Sequence, residues 1–471
     1  MRTAVTRLQE LDVLRGIAIF GMVLSGSIAF GGLLPAWMYH AQVPPPSHQF
    51  DPTRAGITWV DLVFPFFLFC MGAAMPLSFQ PQLERGISRL RLMMVAGRRF
   101  FQLLFFALFS QHMKAWVLSS NPSSIDQFLS ICSFFLLFGQ LFDFEKLGAW
   151  VGLKWIKPIS YILAGLLLYQ LPFYTGKGFD LYRSDIIIVV LANMAFFGSL
   201  IYIFTVQHPI WRGAVLVVVG SVILSAREPG QHVVKYFFNF HSFGGFAFDW
   251  AYKFYFLKYL FIVIPGTWAG DLFLLHKKEV AQKIKPSHRL WSIGSLVLLI
   301  LLLSLLFIRN QVLLSWAMLL GLLFVAFFRT RLFKNSSLTT SLTRHGLFFL
   351  LVGLILEPYE GGIKKDPSTF SYYFITTGYS YLVLLIVKDF VGFKWVSPIW
   401  NFLAGLGKNP LVAYVTGSLV ILPLLAIIGL RDQWGAWVQT PWQGFLKGLL
   451  FTFLVSGITL YFNRKNWIWR S

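Results

Sequence analysis

Apolar runs long enough to cross a bilayer recur from one end of this chain to the other, separated by short polar connections. They fall near residues 13–34, 57–79, 100–118, 126–142, 158–172, 186–206, 211–226, 252–275, 290–308, 312–328, 345–357, 371–388, 399–429 and 446–463. A hydrocarbon core about 30 Å thick asks for about 20 such residues per helix. The pattern therefore predicts an all-α, polytopic transmembrane helical bundle of about 14 helices. Several segments are short, so the range is 12–14. No stretch between them is long enough for a soluble domain, and no fixed-period repeat is present. Residues 1–471 read as a single transmembrane domain.

The connections carry the orientation. Arg85, Arg89, Arg91, Arg98 and Arg99 share one loop, and Lys277, Lys278, Lys283, Lys285 and Arg289 share another. Arg329, Arg331, Lys334 and Arg344 follow the tenth segment, and Arg464, Lys465 and Arg470 lie in the tail. With fourteen segments, all of these fall on one side. Lysine and arginine collect in cytoplasmic loops, which predicts cytoplasmic N- and C-termini. Residues 35–56, 173–185, 227–251, 358–370 and 430–445 then face the other side and are rich in aromatic, Gly, Pro and His residues. The opening residues lack the layout of a removable signal peptide, so the first helix is expected to stay in place.

Composition agrees. Of 471 residues 56% are hydrophobic and only 13% charged, with a mean hydropathy of +0.66, whereas soluble domains hold about 25% charged residues. The formal charge of +21 reads as positive-inside bias, and no nucleic-acid partner is expected. The lipid bilayer is the expected surrounding. The two cysteines, Cys70 and Cys132, both lie in apolar runs and imply neither a disulfide nor a metal site. Zinc spacings, HExxH, GxxxxGK[ST] and GxSxG are absent, which argues against a metalloprotease and an ATP-driven pump, and no metal is expected.

An ionisable group inside a span is costly and invites a functional explanation. Asp61 lies one turn into the second segment, in "GITWVDLVFPFFLFCMG". A carboxylate there is favoured by the helix dipole, and it can also orient a histidine. His40 and His48 stand in the preceding loop, whose three consecutive prolines limit its freedom. Solvation is the ordinary lot of a loop histidine, and the nearness of Asp61 opens the alternative. Asp12 and Arg15 can pair on one face of the first helix or serve, with the cluster that includes Arg98 and Arg99, as an anion site. The eighth segment holds Asp249, Lys253, Lys258 and Asp271, too many charges for a lipid-facing span, and Pro265–Gly266 should kink it. "KKDPSTFSYYF" places Lys364 and Lys365 near Ser371, where an anionic group could be received.

Together these stretches resemble the heparan-α-glucosaminide N-acetyltransferase family and its bacterial relatives. "LDVLRGIAIF" is similar to the family's opening, here Asp12, Arg15 and Gly16. The longer G-x-T-x-x-D-x-V-x-P-x-F-x-F-x-x-G pattern is matched by Gly56, Thr58, Asp61, Val63, Pro65, Phe67, Phe69 and Gly72. Three further stretches follow in the family's order: "FLKYLFIVIPGTWAGD", preceded by Phe248–Asp249, then "KKDPSTFSYYFITTG", and "GLGKNPLVAYV" with Asn409. Residues 173–247 and 290–328 look like insertions relative to the animal enzyme.

The resemblance implies a membrane acetyltransferase. It would move acetyl from cytosolic acetyl-CoA to a glucosamine-type amine of an amino-sugar or glycan acceptor on the far side. The family's catalytic residue is a first-loop histidine. His48 lies eight residues before Gly56, and His40 precedes Ala41 as in the family's common His-Ala. The expectation puts His48 ahead of His40, with Asp61 as the orienting partner. Arg15, Asp12, Arg98, Arg99 and Lys258 would bind the donor, and Asp249, Lys364, Lys365, Ser371 and Asn409 the acceptor. A homodimer and a bacterial inner-membrane location are what the resemblance suggests. The alternatives are a transporter or flippase of an anionic sugar or lipid-linked intermediate, and an O-acetyltransferase of envelope polysaccharide.

Overall fold

The computed structural model describes residues 8–469 except 145–152, 175, 229, 231–232, 244, 277–285, 310–315, 317–318, 324–325, 328–336, 392 and 437. The principal helices are α1 (Gln9–Ser25), α2 (Trp59–Glu84), α3 (Arg89–His112), α4 (Ser124–Leu141), α5 (Leu153–Gln170), α6 (Ile186–Thr205) and α7 (Ile210–Ser225). They continue with α8 (Phe254–Leu275, opening as a 3₁₀ turn), α9 (Pro286–Ile308), α10 (Ser337–Tyr359), α11 (Phe370–Phe390), α12 (Ser397–Lys408), α13 (Pro410–Ile427) and α14 (Pro441–Arg464). A two-residue hairpin, Ser242–Phe243 with Phe246–Ala247, is the β structure among the described residues.

The molecule is a helical bundle, as the apolar pattern predicts. By length and composition ten helices can cross a membrane among the described residues: α2, α3, α4, α6, α8, α9, α10, α11, α13 and α14. Of the other four expected spans, α1 and α7 are shorter, α5 is not among the ten, and about half of the segment at 312–328 lies outside the described residues. Within their apolar windows α2 and α11 are each 83% buried, so they form the centre, whereas α9 at 28% lies at the periphery.

Helix association in lipid depends on close backbone approach, which small residues permit. A Cβ on Gly72 of α2 would stand 2.1 Å from the Val263 carbonyl oxygen of α8, and one on Gly266 would stand 2.4 Å from that of Phe69. The α1–α12 crossing has the same construction, with Gly16 against the Leu403 carbonyl and Gly407 against that of Asp12.

Proline inside these central helices removes an N–H and frees the carbonyl four residues back. Side chains of α11 take up two of the freed groups, those behind Pro265 and Pro65. Pro265 frees the carbonyl of Phe261, which accepts from Thr377 Oγ1 at 3.2 Å. Pro65 frees that of Asp61, which accepts from Tyr372 Oη at 2.9 Å. The second repair ties α11 to the turn of α2 that carries the candidate chemistry.

Candidate active site

The start of α2 is built around Asp61. Thr58 is its N-cap and accepts from Val60 N at 3.2 Å, while its hydroxyl donates to the Tyr39 carbonyl at 2.7 Å. Such a cap satisfies donors that the first helical turn leaves open. Asp61 Oδ2 accepts from Thr58 N at 3.0 Å and from Ala41 N at 3.2 Å. The carboxylate is 2% exposed, so its remaining oxygen needs a donor. His40 supplies it, with Nδ1 2.7 Å from Asp61 Oδ1. An ionised carboxylate only accepts, which puts the proton on Nδ1 and leaves the lone pair on Nε2. The imidazole is 38% exposed, so it reaches the surface while its partner does not.

A second loop closes over this pair. Gly56 N donates to the Ile363 carbonyl at 2.8 Å. Gln42 forms a reciprocal pair with the backbone of Asp366, accepting from its N–H at 2.8 Å and donating to its carbonyl. Between those clamps Lys365 Nζ stands 3.1 Å from His40 Nδ1, 3.4 Å from Nε2 and 3.9 Å from Asp61 Oδ1. Burial pushes the Lys365 pKa below the ordinary lysine value, and the carboxylates of Asp61 and Asp366 oppose that shift.

His48 lies apart from this arrangement. Its backbone has φ of +51°, its Nε2 accepts from Gly32 N at 3.3 Å, and its ring packs edge-on against Phe30 and Tyr39. Its Nδ1 is buried without a partner among the described residues. Of the two histidines the sequence leaves open, His40 is the one against the carboxylate.

Other expected residues divide between the two ends of the bundle. Asp12, Arg15 and Arg99 line a cavity of about 380 Å³, together with Lys408, Trp469 and an apolar wall that includes Phe67, Met71 and Met75. Arg15 pairs with Asp12 at 3.1 Å and donates to the Gly407 carbonyl at 3.2 Å. Arg98 does not line this cavity. The cavity follows α2 from Phe67 to Phe79, and Phe67 is about 9 Å below Asp61 at about 1.5 Å per residue.

Lys258 is at the other end. Its Nζ donates to the Ser368 carbonyl at 3.3 Å and sits 3.9 Å from the Tyr255 ring centroid, so it braces the loop that carries Lys365 rather than joining Arg15. Asn409 is likewise displaced from the expected acceptor side. It donates to the Trp467 carbonyl at 2.9 Å and accepts from Trp469 N at 3.1 Å, fastening the C-terminal segment beside the Arg15 cavity.

Ser371 donates to Thr369 Oγ1 at 2.9 Å within the α11 cap, and Lys364 enters the same cap through its backbone N–H. Asp249 accepts from Tyr182 Oη at 2.6 Å, away from His40, and that hydrogen bond holds its carboxyl below the usual range. Asp271 is taken by the buried Arg212.

Gln42, Tyr372 and Lys408 complete these sites without having been anticipated. Pro65 was a signal for Tyr372, because a proline there leaves the Asp61 carbonyl needing a donor. Lys408 directly precedes Asn409 in "GLGKNP".

A bundle with ten membrane-capable helices, carrying a histidine–carboxylate pair at one end and a cationic cavity at the other, defines an integral multi-pass membrane protein. The profile of the family described as "Domain of unknown function (DUF5009)" matches residues 7–273, more than half of the chain, and the chain belongs to that family. It is also 37% identical over 95 residues to heparan-alpha-glucosaminide N-acetyltransferase of Homo sapiens and 34% identical over 92 residues to that of Mus musculus. Each match covers 20% of this chain and spans 12% of the relative's own length.

Proposed function

We propose that the protein is a transmembrane acetyltransferase that uses acetyl-CoA bound at the Arg15 end and acetylates an amino-sugar amine at the His40 end. The observation that carries this reading is that the cationic cavity and the His40–Asp61 pair lie along one helix, α2. The named similarity to two N-acetyltransferases supports the chemistry. Under the positive-inside reading, the Arg15 end faces the cytoplasm and the His40 end the opposite side.

The residues fit the donor. Arg15, Arg99 and Lys408 offer cations to the phosphates, Trp469 offers an aromatic wall, and Phe67, Met71 and Met75 offer apolar contact to the arm. Arg15 is partly committed to Asp12 and Gly407, so Arg99 is the cleaner test. One charge-assisted contact is worth about 1.5–3 kcal/mol. Arg99→Gln should therefore raise KM for acetyl-CoA by roughly tenfold to a hundredfold with a smaller effect on kcat, read from initial rates of CoA release. An unchanged KM would remove this cavity as the donor site.

At the other end, an acceptor amine attacks the thioester carbonyl. The C–N bond forms, the C–S bond breaks, and CoA leaves as the thiolate. His40 Nε2 takes the proton that the amine must lose, and Asp61 stabilises the resulting imidazolium through Nδ1. The net result is an amide and CoA thiol. Incubating the detergent-purified protein with acetyl-CoA and glucosamine tests the reading, with release of free thiol and appearance of N-acetylglucosamine in equal amounts as the expected result. Movement of unmodified sugar with no effect of acetyl-CoA would indicate a transporter instead, and an ester product an O-acetyltransferase.

A further inference from the structure

Lys365 has a role the reaction above leaves unassigned. The clamps at Gly56–Ile363 and Gln42–Asp366 bracket it in sequence and hold the loop against the first one. Its ammonium is almost equally near both imidazole nitrogens, at 3.1 and 3.4 Å. An atom that close to both lies over the ring face rather than in line with either lone pair. There its N–H bonds are not committed to either ring nitrogen.

The other donors bordering the pair are occupied. Thr58 donates to the Tyr39 carbonyl, Tyr372 to the Asp61 carbonyl and Gln42 to the Asp366 carbonyl. An ammonium has three N–H bonds to give and can redirect one at little cost.

We propose that Lys365 is a catalytic residue: its ammonium donates a hydrogen bond to the acetyl carbonyl oxygen as that oxygen becomes an oxyanion. The inference rests on the acetyl-transfer reading above. The amine nitrogen bonds to the carbonyl carbon, and the C=O electron pair moves onto oxygen, where Lys365 stabilises it without giving up its proton. Collapse restores the C=O bond and expels the thiolate, while His40 carries the amine proton. Partial burial, with the Lys365 side chain 27% exposed, lowers its proton affinity as expected for an ammonium that lacks full hydration.

The competing role is that Lys365 merely anchors an acidic group on the acceptor. Two acceptors separate these, glucosamine, which has no acidic group, and glucosamine 6-sulfate. For Lys365→Met we expect kcat to fall about 100- to 1,000-fold with both acceptors, the usual cost of removing one oxyanion donor, and KM to change little. Lys365→Arg, which keeps a cationic donor, should restore part of kcat.

If Lys365→Met raises KM for the sulfated sugar alone and leaves kcat for glucosamine intact, the proposal is overturned in favour of an acceptor anchor. If the methionine variant does not run as a monodisperse species on gel filtration, Lys365→Gln and Lys365→Arg take its place. Equal kcat in those two would also overturn it. A wild-type protein that acetylates neither sugar defeats the underlying reading itself, an outcome distinct from an active wild type with an indifferent Lys365.

Discussion

Replacing His40 with alanine should reduce acetyl transfer by about 100- to 10,000-fold, the range expected for loss of a positioned general base, while binding of acetyl-CoA is retained. The same change at His48 should leave transfer within a few-fold of wild type. The contrast follows from geometry, because His40 Nδ1 is 2.7 Å from a buried carboxylate and His48 instead packs on Phe30 and Tyr39 and accepts from Gly32 N. His48→Ala should therefore act on stability, costing about 1 kcal/mol through a lost aromatic contact. Rates of CoA release from the two variants, alongside ligand-induced thermal stabilisation, check both halves. An active His40→Ala beside an inactive His48→Ala would move the chemistry to the other histidine.

A large effect on stability is expected at Gly72, at the crossing of the central helices α2 and α8. A Cβ there would lie 2.1 Å from the Val263 carbonyl oxygen and 3.2 Å from the Gly266 Cα, and neither backbone atom can move aside without separating α2 from α8. Overpacking of this kind costs about 1–3 kcal/mol and occasionally more. Gly72→Ala should lower the apparent melting temperature in detergent by roughly 1–6 °C, at about 1–2 °C per kcal/mol for a chain this long. Gly457→Ala in α14 is the control, since a Cβ there meets nothing within 4 Å. It should be neutral or slightly stabilising, as helix propensity predicts. Heating both variants and following the monodisperse gel-filtration peak measures the difference. Equal melting temperatures would mean that α2 and α8 do not cross at these glycines.

Much of this arrangement was legible along the chain, because its signals are local. The apolar runs set the helical bundle, and Asp61 stood out as a carboxylate one turn inside a span. The pairing of Asp12 with Arg15 needed only their spacing. Which histidine meets Asp61 was not legible, because the path of residues 26–58 is fixed by partners far away in sequence, the Ile363 carbonyl and the backbone of Asp366. His48 is nearer to Asp61 along the chain, and the loop turns it away. Lys258 lies beside the Lys365 loop and Asn409 beside the Arg15 cavity, placements the sequence did not show for a related reason. A helix terminus announces itself in sequence, but which loop packs against it depends on the packing of the whole bundle. The short expected spans α1 and α7 fall below the length by which the ten membrane-capable helices among the described residues are recognised.

The central claim is that donor and acceptor meet through the membrane, along α2. The most direct measurement uses sealed proteoliposomes with glucosamine trapped inside and radiolabelled acetyl-CoA added outside. For molecules whose Arg15 end faces outward, labelled N-acetylglucosamine should accumulate inside while free CoA appears outside in equal amount, and Arg99→Gln and His40→Ala should each suppress both. Label that stays outside as acetyl-CoA, or labelled sugar formed only when donor and acceptor share one compartment, would contradict the account.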